Sequence, residues 1–164
     1  TTTDRHSPTP VSGLTGVRQI ELGWLHTCVM LAYTSVQCWG YNVFGQLGNG
    51  RIENGHPSPT PVPGLTGVRQ IGLGGNHTCA VIDDGTVQCW GLNDDGELGD
   101  GTTTDRHSPT PVPGLAGVRQ IELGDSHTCA VLESSNLQCW GWNGWGQLGD
   151  GTTTDRNTPT PVVF

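Results

Sequence analysis

The sequence predicts an all-β fold of propeller-type blades, because it consists of three copies of one segment of about 50 residues. Three landmarks set the period: His-Thr-Cys, Cys-Trp-Gly and Pro-Thr-Pro-Val each return after 50 or 51 residues. Repeats of this length are typical of solenoids and propellers, in which each unit buries its apolar surface only against its neighbours. The 26 glycines and 11 prolines recur at fixed places in the repeat, which favours short strands joined by tight turns.

The middle copy indicates how four strands fit into one repeat. Val68–Leu73 alternates in polarity, and a second β-rich run, His77–Ile82, follows it. The loop Asp83–Gly85 leads to a third run that ends at Gly91, and glycine in third place of a three-residue loop is typical of a β-hairpin. Pro59–Val62 is predicted to be an edge strand, because proline has no N–H to donate to a neighbouring strand. Four strands with the fourth at the rim describe one propeller blade.

The chain is therefore interpreted as a single repeat array, residues 1–164. The three four-stranded repeats are predicted at residues 14–63, 64–113 and 114–164. Residues 1–13 carry a spare edge-strand segment, and Thr1–Arg5 reappears later in two copies, so we expect the chain to begin inside a repeat. Three blades do not readily close a ring, so we expect the ring to be incomplete within one chain. Either the array continues in a longer chain, or copies of this chain complete the ring or stack onward.

The six cysteines are predicted to form three disulfides, each within one hairpin. Two cysteines lie equally far from each hairpin apex (Tyr33, Asp84 and Ser134), and residues opposite each other in a hairpin point to the same face. The predicted pairs are Cys28–Cys38, Cys79–Cys89 and Cys129–Cys139. Reduced, buried thiols remain an alternative, and the Cys-x₉-Cys spacing disfavours zinc. Paired cysteines favour an oxidising compartment, so we expect an extracellular or cell-surface protein.

Composition and charge exclude several function classes. The net charge is −8 and the seven basic residues are all arginines scattered along the chain, so we expect no nucleic-acid binding. No apolar run is long enough to cross a bilayer, so we expect no membrane insertion. No nucleophile, base and acid converge, so we predict no catalytic residues, no cofactor and no enzyme activity.

Two repeated features contain residue types that bind metals, but neither is predicted to be a metal site. His26, His77 and His127 stand at the same point of each copy, and each is expected to satisfy a backbone group rather than share a metal. Asp100–Asp105 and Asp150–Asp155 lack the alternating oxygen ligands of a calcium loop, and Asp-Gly is a turn dipeptide. We therefore predict no metal site.

Loop positions at which the copies differ supply candidate partner contacts. The framework residues repeat, whereas the residues before His-Thr-Cys and after Cys-Trp-Gly vary and include large aromatic side chains. Such side chains are costly to expose unless a ligand, a partner or another subunit covers them. The candidates are Trp24, Tyr41, Phe44, Trp142 and Trp145. Packing of these rings into gaps between blades is the alternative, and the framework residues Trp39, Trp90 and Trp140 are predicted to lie in the blade core.

Four motifs run through the copies: Gly-x-x-His-Thr-Cys-Ala-Val, Val-Gln-Cys-Trp-Gly, Asn-x-x-Gly-Gln-Leu-Gly-Asp-Gly-Thr and Pro-x-Pro-Val-x-Gly-Leu. Together they resemble the regulator of chromosome condensation repeat family, and the resemblance covers the whole chain. The family implies a β-propeller, usually of about seven blades. The version with paired cysteines is similar to those in secreted or surface proteins of bacteria. Functions in the family vary widely and include nucleotide exchange on small GTPases.

The leading functional hypothesis is a non-catalytic extracytoplasmic module that binds protein or glycan through its loop aromatics. The alternative is a structural subunit that assembles with copies of itself through open blade faces and through addition of the spare strand, Pro8–Val11. Such assembly ends in a closed homo-oligomer or in a filament. A regulator that resembles an exchange factor for a small GTPase is a third hypothesis, and no inserted hairpin favours it.

Overall fold

The computed structural model describes residues 3–32 and 35–163, which form three four-stranded antiparallel sheets and contain no helix. The twelve strands are β1 Val17–Leu22, β2 His26–Leu31, β3 Val36–Asn42, β4 Glu53–Pro61, β5 Val68–Leu73, β6 His77–Ile82, β7 Val87–Gly91, β8 Arg106–Pro111, β9 Val118–Leu123, β10 His127–Leu132, β11 Leu137–Gly141 and β12 Arg156–Pro161. The predicted all-β fold is therefore confirmed. Within the described ranges, no segment forms a helix of the length and apolarity needed to span a membrane.

Each sheet is a meander whose strands follow chain order, and we call the sheets blade 1 (β1–β4), blade 2 (β5–β8) and blade 3 (β9–β12). The proline-rich fourth strand lies at the edge of each sheet, where a missing N–H is tolerated. The three blades form an open arrangement, so the described chain does not close a ring. Pro8–Val11, expected to be a spare edge strand, belongs to no sheet and is exposed, and its pairing with another subunit stays a prediction.

The central hairpin of each blade carries a disulfide. Cys79 lies opposite Cys89 in the ladder between β6 and β7, and the two sulfurs are bonded. Blades 1 and 3 repeat this arrangement with Cys28–Cys38 and Cys129–Cys139. The apex of the first hairpin, Tyr33, lies outside the described residues. Disulfides are therefore local staples that join the two central strands of each sheet.

The hydrophobic core lies between the blades. One cluster joins Val68, Ile71 and Trp90 of blade 2 to the facing side of blade 1, including Met30 and Val36. A second cluster joins the other side of blade 2 to blade 3 in the same way. Blade 2 therefore presents one apolar side to blade 1 and the other to blade 3.

A buried tryptophan of one blade packs against a glycine of the blade before it and donates a hydrogen bond to that blade. The indole N–H of Trp90 donates to the carbonyl of Gln46 in blade 1, at 3.0 Å, and Trp140 makes the same bond to Glu97 in blade 2. A Cβ on Gly48 would lie 2.6 Å from the indole nitrogen of Trp90, so glycine is required for this approach. Trp90 and Trp140 are fully buried, whereas the equivalent Trp39 on the open side of blade 1 is half-buried.

A buried asparagine organises the long connection between the third and fourth strands. The side-chain oxygen of Asn93 accepts a bond from the amide of Leu98, and its nitrogen donates to the carbonyls of Thr102 and Thr104. Asn42 and Asn143 occupy the same position and are equally buried. This network explains the Asn-x-x-Gly-x-Leu-Gly motif as a framework device that fixes the loops on one end of each blade.

Candidate functional site

The loops at one end of the blades form a continuous surface, which we call the loop face. It consists of the loops before the second strand, residues 23–25, 74–76 and 124–126, and of the segments at the end of the third strand, residues 41–45, 92–96 and 142–146; in blade 1 that segment includes the last two residues of β3. Within a blade the two loops are bonded, for example by the amide of Trp142 to the carbonyl of Ser126 at 2.8 Å. Between blades, the amide of Trp24 donates to Gly75, whose own amide donates to Asp125. The loop face is therefore held by backbone bonds both within and across blades.

All five candidate aromatic residues lie on the loop face, but they differ in exposure. Trp145 is 85% exposed and Trp24 66% exposed, and Trp142 is exposed at 36%. Tyr41 and Phe44 are half-buried and pack edge to face against each other, with ring centroids 6.2 Å apart. The three tryptophans are thus accessible to a partner, whereas Tyr41 and Phe44 each bury part of their ring surface against the other.

Leu25 belongs to this surface, although aromatic content alone did not select it. Its side chain is 66% exposed, directly beside Trp24. The equivalent positions in blades 2 and 3 hold the polar residues Asn76 and Ser126. An apolar residue where the other copies are polar was the sequence signal that identifies it.

Blade 2 contributes carboxylates rather than aromatic rings to the loop face. Asp94 and Asp95 stand beside Asp155, and the three carboxylates line a shallow depression between blades 2 and 3. Partial burial raises the pKa of Asp95, and the charges of Asp155 and Asp94 raise it further. Burial also raises the pKa of Asp105, which accepts a bond from the amide of Asn93 at 2.8 Å. The loop face is therefore acidic in blade 2 and aromatic on either side.

A buried carboxyl lies beneath this acidic loop. Burial raises the pKa of Glu97 to about 7, and the nearby charges of Asp95 and Asp94 add to the effect. The Glu97 carboxyl accepts a bond from the amide of Asp95, as the amide oxygens of Gln46 and Gln147 accept from the equivalent loop amides. Glutamate therefore occupies a position that the other two copies fill with a neutral amide.

The repeated histidines link consecutive blades. His26 Nε2 lies 2.9 Å from the hydroxyl of Thr78, and His77 Nε2 lies 2.9 Å from the hydroxyl of Thr128. The expectation that each histidine satisfies a backbone group is wrong for these two, because Nε2 pairs with a side chain in the next blade. Burial lowers the pKa of His26 to about 4 and that of His77 to about 3, so both rings are neutral at neutral pH.

Among residues 3–32 and 35–163, no group of three or more His, Cys, Asp or Glu side chains has an arrangement that could hold a metal ion. The Asp-Gly-Thr segments form turns: Asp100 accepts from the amide and hydroxyl of Thr102 and pairs with Arg106 at 2.7 Å. The described surface thus offers aromatic rings and carboxylates in exposed loops on a rigid scaffold, an arrangement suited to recognition.

Three stacked four-stranded blades with an exposed loop face define a propeller-type interaction module. A model of the regulator of chromosome condensation (RCC1) repeat matches residues 35–81, 84–131 and 137–164, which is more than half of the chain. The chain belongs to this RCC1 repeat family. The resemblance predicted from the repeat motifs is confirmed.

Several curated proteins are similar to parts of the chain. The ultraviolet-B receptor UVR8 of Arabidopsis thaliana is 40% identical over 110 residues, which cover 62% of this chain and 24% of that protein. Protein RCC1 of Candida albicans is 35% identical over 95 residues, covering 53% of this chain and 20% of that protein. The probable E3 ubiquitin-protein ligase HERC4 of Homo sapiens is 33% identical over 91 residues, covering 54% and 9%. The chain therefore spans a quarter or less of these relatives.

Solved structures share the fold. Prp20p of Saccharomyces cerevisiae superimposes with a TM-score of 0.83 at 23% identity, covering 93% of this chain and 39% of that one. Yeast RCC1 (Prp20) bound to Kap60 superimposes with a TM-score of 0.84, also at 23% identity, covering 93% and 38%. The blades described above are thus packed as in a longer propeller of this family.

Proposed function

We propose that the chain is a non-catalytic, extracytoplasmic interaction module that binds a protein partner through the loop face. The observation that carries this proposal is the exposure of Trp24, Trp142 and Trp145 on one end of the blades. Tryptophan is enriched among the residues that contribute most to protein interfaces, because a large rigid ring loses little entropy on binding. A scaffold fixed by inter-blade bonds keeps these rings in place before the partner arrives.

Similar proteins support a protein ligand. Prp20p is described by its binding properties to Gsp1p and histones, and yeast RCC1 has been solved with Kap60 bound. For this chain we propose only that a propeller of this type recognises a protein, without naming the partner. Glycan is the competing ligand class, since exposed tryptophan rings also stack on sugars.

The three disulfides support an extracytoplasmic location. Disulfides persist in oxidising compartments and are rare where thiols are kept reduced. Locating the protein in cell fractions, and labelling its thiols under native conditions, tests this part of the proposal. Six alkylated cysteines in protein taken directly from cells would contradict it.

Binding to the loop face is tested with matched surface variants. We would compare the wild type, Trp142→Ala/Trp145→Ala and Val11→Ala, an exposed apolar control outside the loop face. Each protein is applied to a glycan array and to a panel of surface proteins of the source cell. We expect a protein ligand that binds the wild type and Val11→Ala alike, and at least roughly tenfold more weakly to the double variant.

Equal binding by all three proteins would overturn the role of the loop face. Signals on the glycan array alone would assign the same tryptophans to sugar recognition instead. Accelerated nucleotide release from a small GTPase would favour an exchange factor over both.

A second candidate function is self-assembly through the open sides of blades 1 and 3. The observation that favours it is the exposure of Val17, Ile20 and Leu22 in β1, at 45%, 58% and 68%. Apolar sheet faces of this kind normally associate. Light scattering after size exclusion tests it: a mass that rises with concentration supports assembly, and a constant monomer mass opposes it.

A further inference from the structure

The loops before the second strands bring one residue from each blade to the same part of the loop face. Trp24, Gly75 and Asp125 occupy one position of the repeat, two residues before the histidine of His-Thr-Cys. The amide of Trp24 donates to the carbonyl of Gly75 at 3.3 Å, and the amide of Gly75 donates to that of Asp125 at 3.0 Å. Consecutive blades therefore place an aromatic ring, no side chain and a carboxylate in a row.

The missing side chain of Gly75 lets its two neighbours approach each other. A Cβ on Gly75 would lie 2.3 Å from Asp125 Oδ1 and 3.4 Å from Trp24 Cδ2. The indole ring and the carboxylate therefore come within about 6 Å of each other, which is the range of a cation–π contact. We call these two side chains the Trp24–Asp125 pair.

Both members of the Trp24–Asp125 pair are open to solvent. Trp24 is 66% exposed, and Asp125 is exposed as well, whereas Gly75 is buried. Within residues 3–32 and 35–163, the Asp125 carboxylate has no hydrogen bond and no ion pair. Burial lowers the pKa of the neighbouring His127, and the charge of Asp125 partly opposes this effect. Ring and carboxylate are thus both free to contact a ligand.

The pair is built across the two internal interfaces of the stack. Trp24 reaches from blade 1 onto Gly75 of blade 2, and Asp125 reaches from blade 3 onto the same glycine. The pair therefore belongs to the contacts between the three blades and not to the open sides of blades 1 and 3.

The charge of the loop face favours a cationic ligand. Its six segments contain three carboxylates, those of Asp94, Asp95 and Asp125, and no lysine or arginine. The whole chain carries a net charge of −8. A surface of one sign raises the local concentration of groups of the opposite sign and steers a basic partner toward it.

An indole ring beside a carboxylate is complementary to a planar cation. The face of tryptophan attracts a cation more strongly than that of the other aromatic residues. A guanidinium group is planar and always charged, so it stacks on a ring while its N–H groups donate to a carboxylate. The ammonium group of lysine is compact and strongly hydrated, so it matches this arrangement less well.

We propose that the Trp24–Asp125 pair binds an arginine side chain of the protein partner. The guanidinium stacks on the Trp24 ring and donates to the Asp125 carboxylate. The exposed Leu25, next to Trp24, packs against the aliphatic part of the arginine side chain. This inference rests on the proposed function of the loop face and names the chemistry that the partner presents there.

Two matched peptides test the recognition of charge. Acetylated and amidated Gly-Arg-Gly carries the guanidinium, and the same peptide with citrulline carries a neutral group of nearly the same shape. Each is titrated into the full chain while NMR follows the indole N–H signals of the six tryptophans. The signal that is lost in Trp24→Ala assigns Trp24. We expect a saturable shift of this signal with the arginine peptide, and at least roughly tenfold weaker binding of the citrulline peptide.

Two substitutions of aspartate locate the site. Asp125→Asn keeps the shape of the side chain and removes its charge, and Asp94→Asn removes the same charge elsewhere on the loop face. Both residues are exposed, so the melting temperature should stay unchanged. We expect Asp125→Asn to weaken binding of the arginine peptide at least roughly tenfold, and Asp94→Asn to weaken it less than about threefold.

Gly75→Ala tests whether ring and carboxylate must lie together. The added Cβ would displace the Asp125 carboxylate from its place beside Trp24, although both groups remain in the chain. We expect this variant to lose arginine binding as Asp125→Asn does. Unchanged binding by Gly75→Ala would show that the two groups do not act as a pair.

The outcomes separate this inference from the proposed function. Equal binding of the arginine and citrulline peptides, or equal binding by Asp125→Asn and the wild type, would overturn the inference. A lysine peptide that binds as tightly as the arginine peptide would overturn the choice of arginine. The proposed function stands or falls separately, by whether the panel of surface proteins yields a ligand that is sensitive to Trp142→Ala/Trp145→Ala. Such a ligand that binds Asp125→Asn like the wild type would support the proposed function and contradict the inference.

Discussion

Blades 1 and 2 have nearly the same sequence pattern and bury it to different extents. In blade 2, Val68, Ile71 and Trp90 are 1%, 1% and 0% exposed, because blade 1 covers them. Their counterparts on the open side of blade 1 are exposed or half-buried. The difference teaches that the core of this fold belongs to a pair of neighbouring blades rather than to one blade. The energetic weight of a residue therefore depends on whether its blade has a neighbour on that side.

The largest expected effect comes from replacing tryptophan at equivalent positions. Trp90→Ala removes a fully buried ring and its bond to Gln46, so it should lower the free energy of unfolding by about 3–5 kcal/mol. Trp39→Ala should cost about 1 kcal/mol, because its ring is already half in solvent. Urea denaturation followed by circular dichroism measures both. Equal losses would show that the core lies within single blades.

Removing a disulfide should also destabilise the protein more in blade 2 than at an open side, but the difference should be smaller than for tryptophan. Replacing Cys79 and Cys89 with alanine, or Cys129 and Cys139, removes a ten-residue crosslink, worth about 2–3 kcal/mol in the chain-entropy model. The first pair is fully buried between blades, whereas Cys129 is half-buried on the open side of blade 3, so the first double variant also loses packing.

Calorimetry of both double variants measures this difference, with the oxidised wild type as reference. Treating the wild type with reductant should lower its melting temperature below that of either variant, since all three crosslinks are then open. A melting temperature that does not respond to reductant would contradict a stabilising role for these bonds.

Local patterns in the sequence predicted much of the fold, because the blades are built from hairpins. The alternation in Val68–Leu73 and the loop Asp83–Gly85 depend on neighbours close in the chain. The two hydrogen bonds between the Gln19 side chain and the Ile71 backbone join residues 52 positions apart, so they depend on how one blade faces the next. The glutamine and the isoleucine recur in every copy, but the repeat alone does not show which side of the sheet each side chain occupies.

The candidate site was harder to predict for the same reason. Varying loops identified Trp24 and Trp145 as positions free from framework packing, but exposure depends on the neighbouring loops. Phe44 has the same kind of sequence context and is half-buried, because Tyr41 packs against it. The exposed Leu25 was missed because it is not aromatic; the polar residues at the same position of the other two copies are the signal that could have identified it.

The interface between blades 2 and 3 contains the titratable Glu97, whereas the interface between blades 1 and 2 has Gln46 at the same position. The two interfaces should therefore differ in how their stability depends on pH. Its pKa is raised from 4.5 to about 7 by burial, so the folded state holds a proton that the unfolded state releases at lower pH. The free energy that this bound proton contributes to stability is fully present below about pH 4.5, and it is lost as the pH rises through about 7. Glu97→Gln should remove this decline and stabilise the protein by about 2 kcal/mol at about pH 8.

The reciprocal substitution sharpens the test. Gln46 occupies the same position between blades 1 and 2, so Gln46→Glu should introduce a second decline over the same pH range. Urea denaturation at several pH values measures both variants against the wild type. The buried histidines act in the opposite direction: their lowered pKa values cost stability as the pH falls below 6.5. They are common to all three proteins and cancel in the differences.

The smallest expected effect concerns one turn in blade 3. Ser135 has φ 67°, in the left-handed region, where blade 2 has Gly85 at φ 79°. A side chain costs about 1 kcal/mol in this conformation, and part of the gain from removing it is offset because glycine is more flexible in the unfolded chain. Ser135→Gly should therefore stabilise the protein by less than about 1 kcal/mol, measured as a small rise in melting temperature. The reverse change, Gly85→Ala, should be more harmful, because its Cβ would also lie 3.1 Å from the backbone of Gly117. If Ser135→Gly instead destabilised blade 3, the serine would have to make a contact that outweighs its backbone strain, and the turns of blades 2 and 3 would not be equivalent.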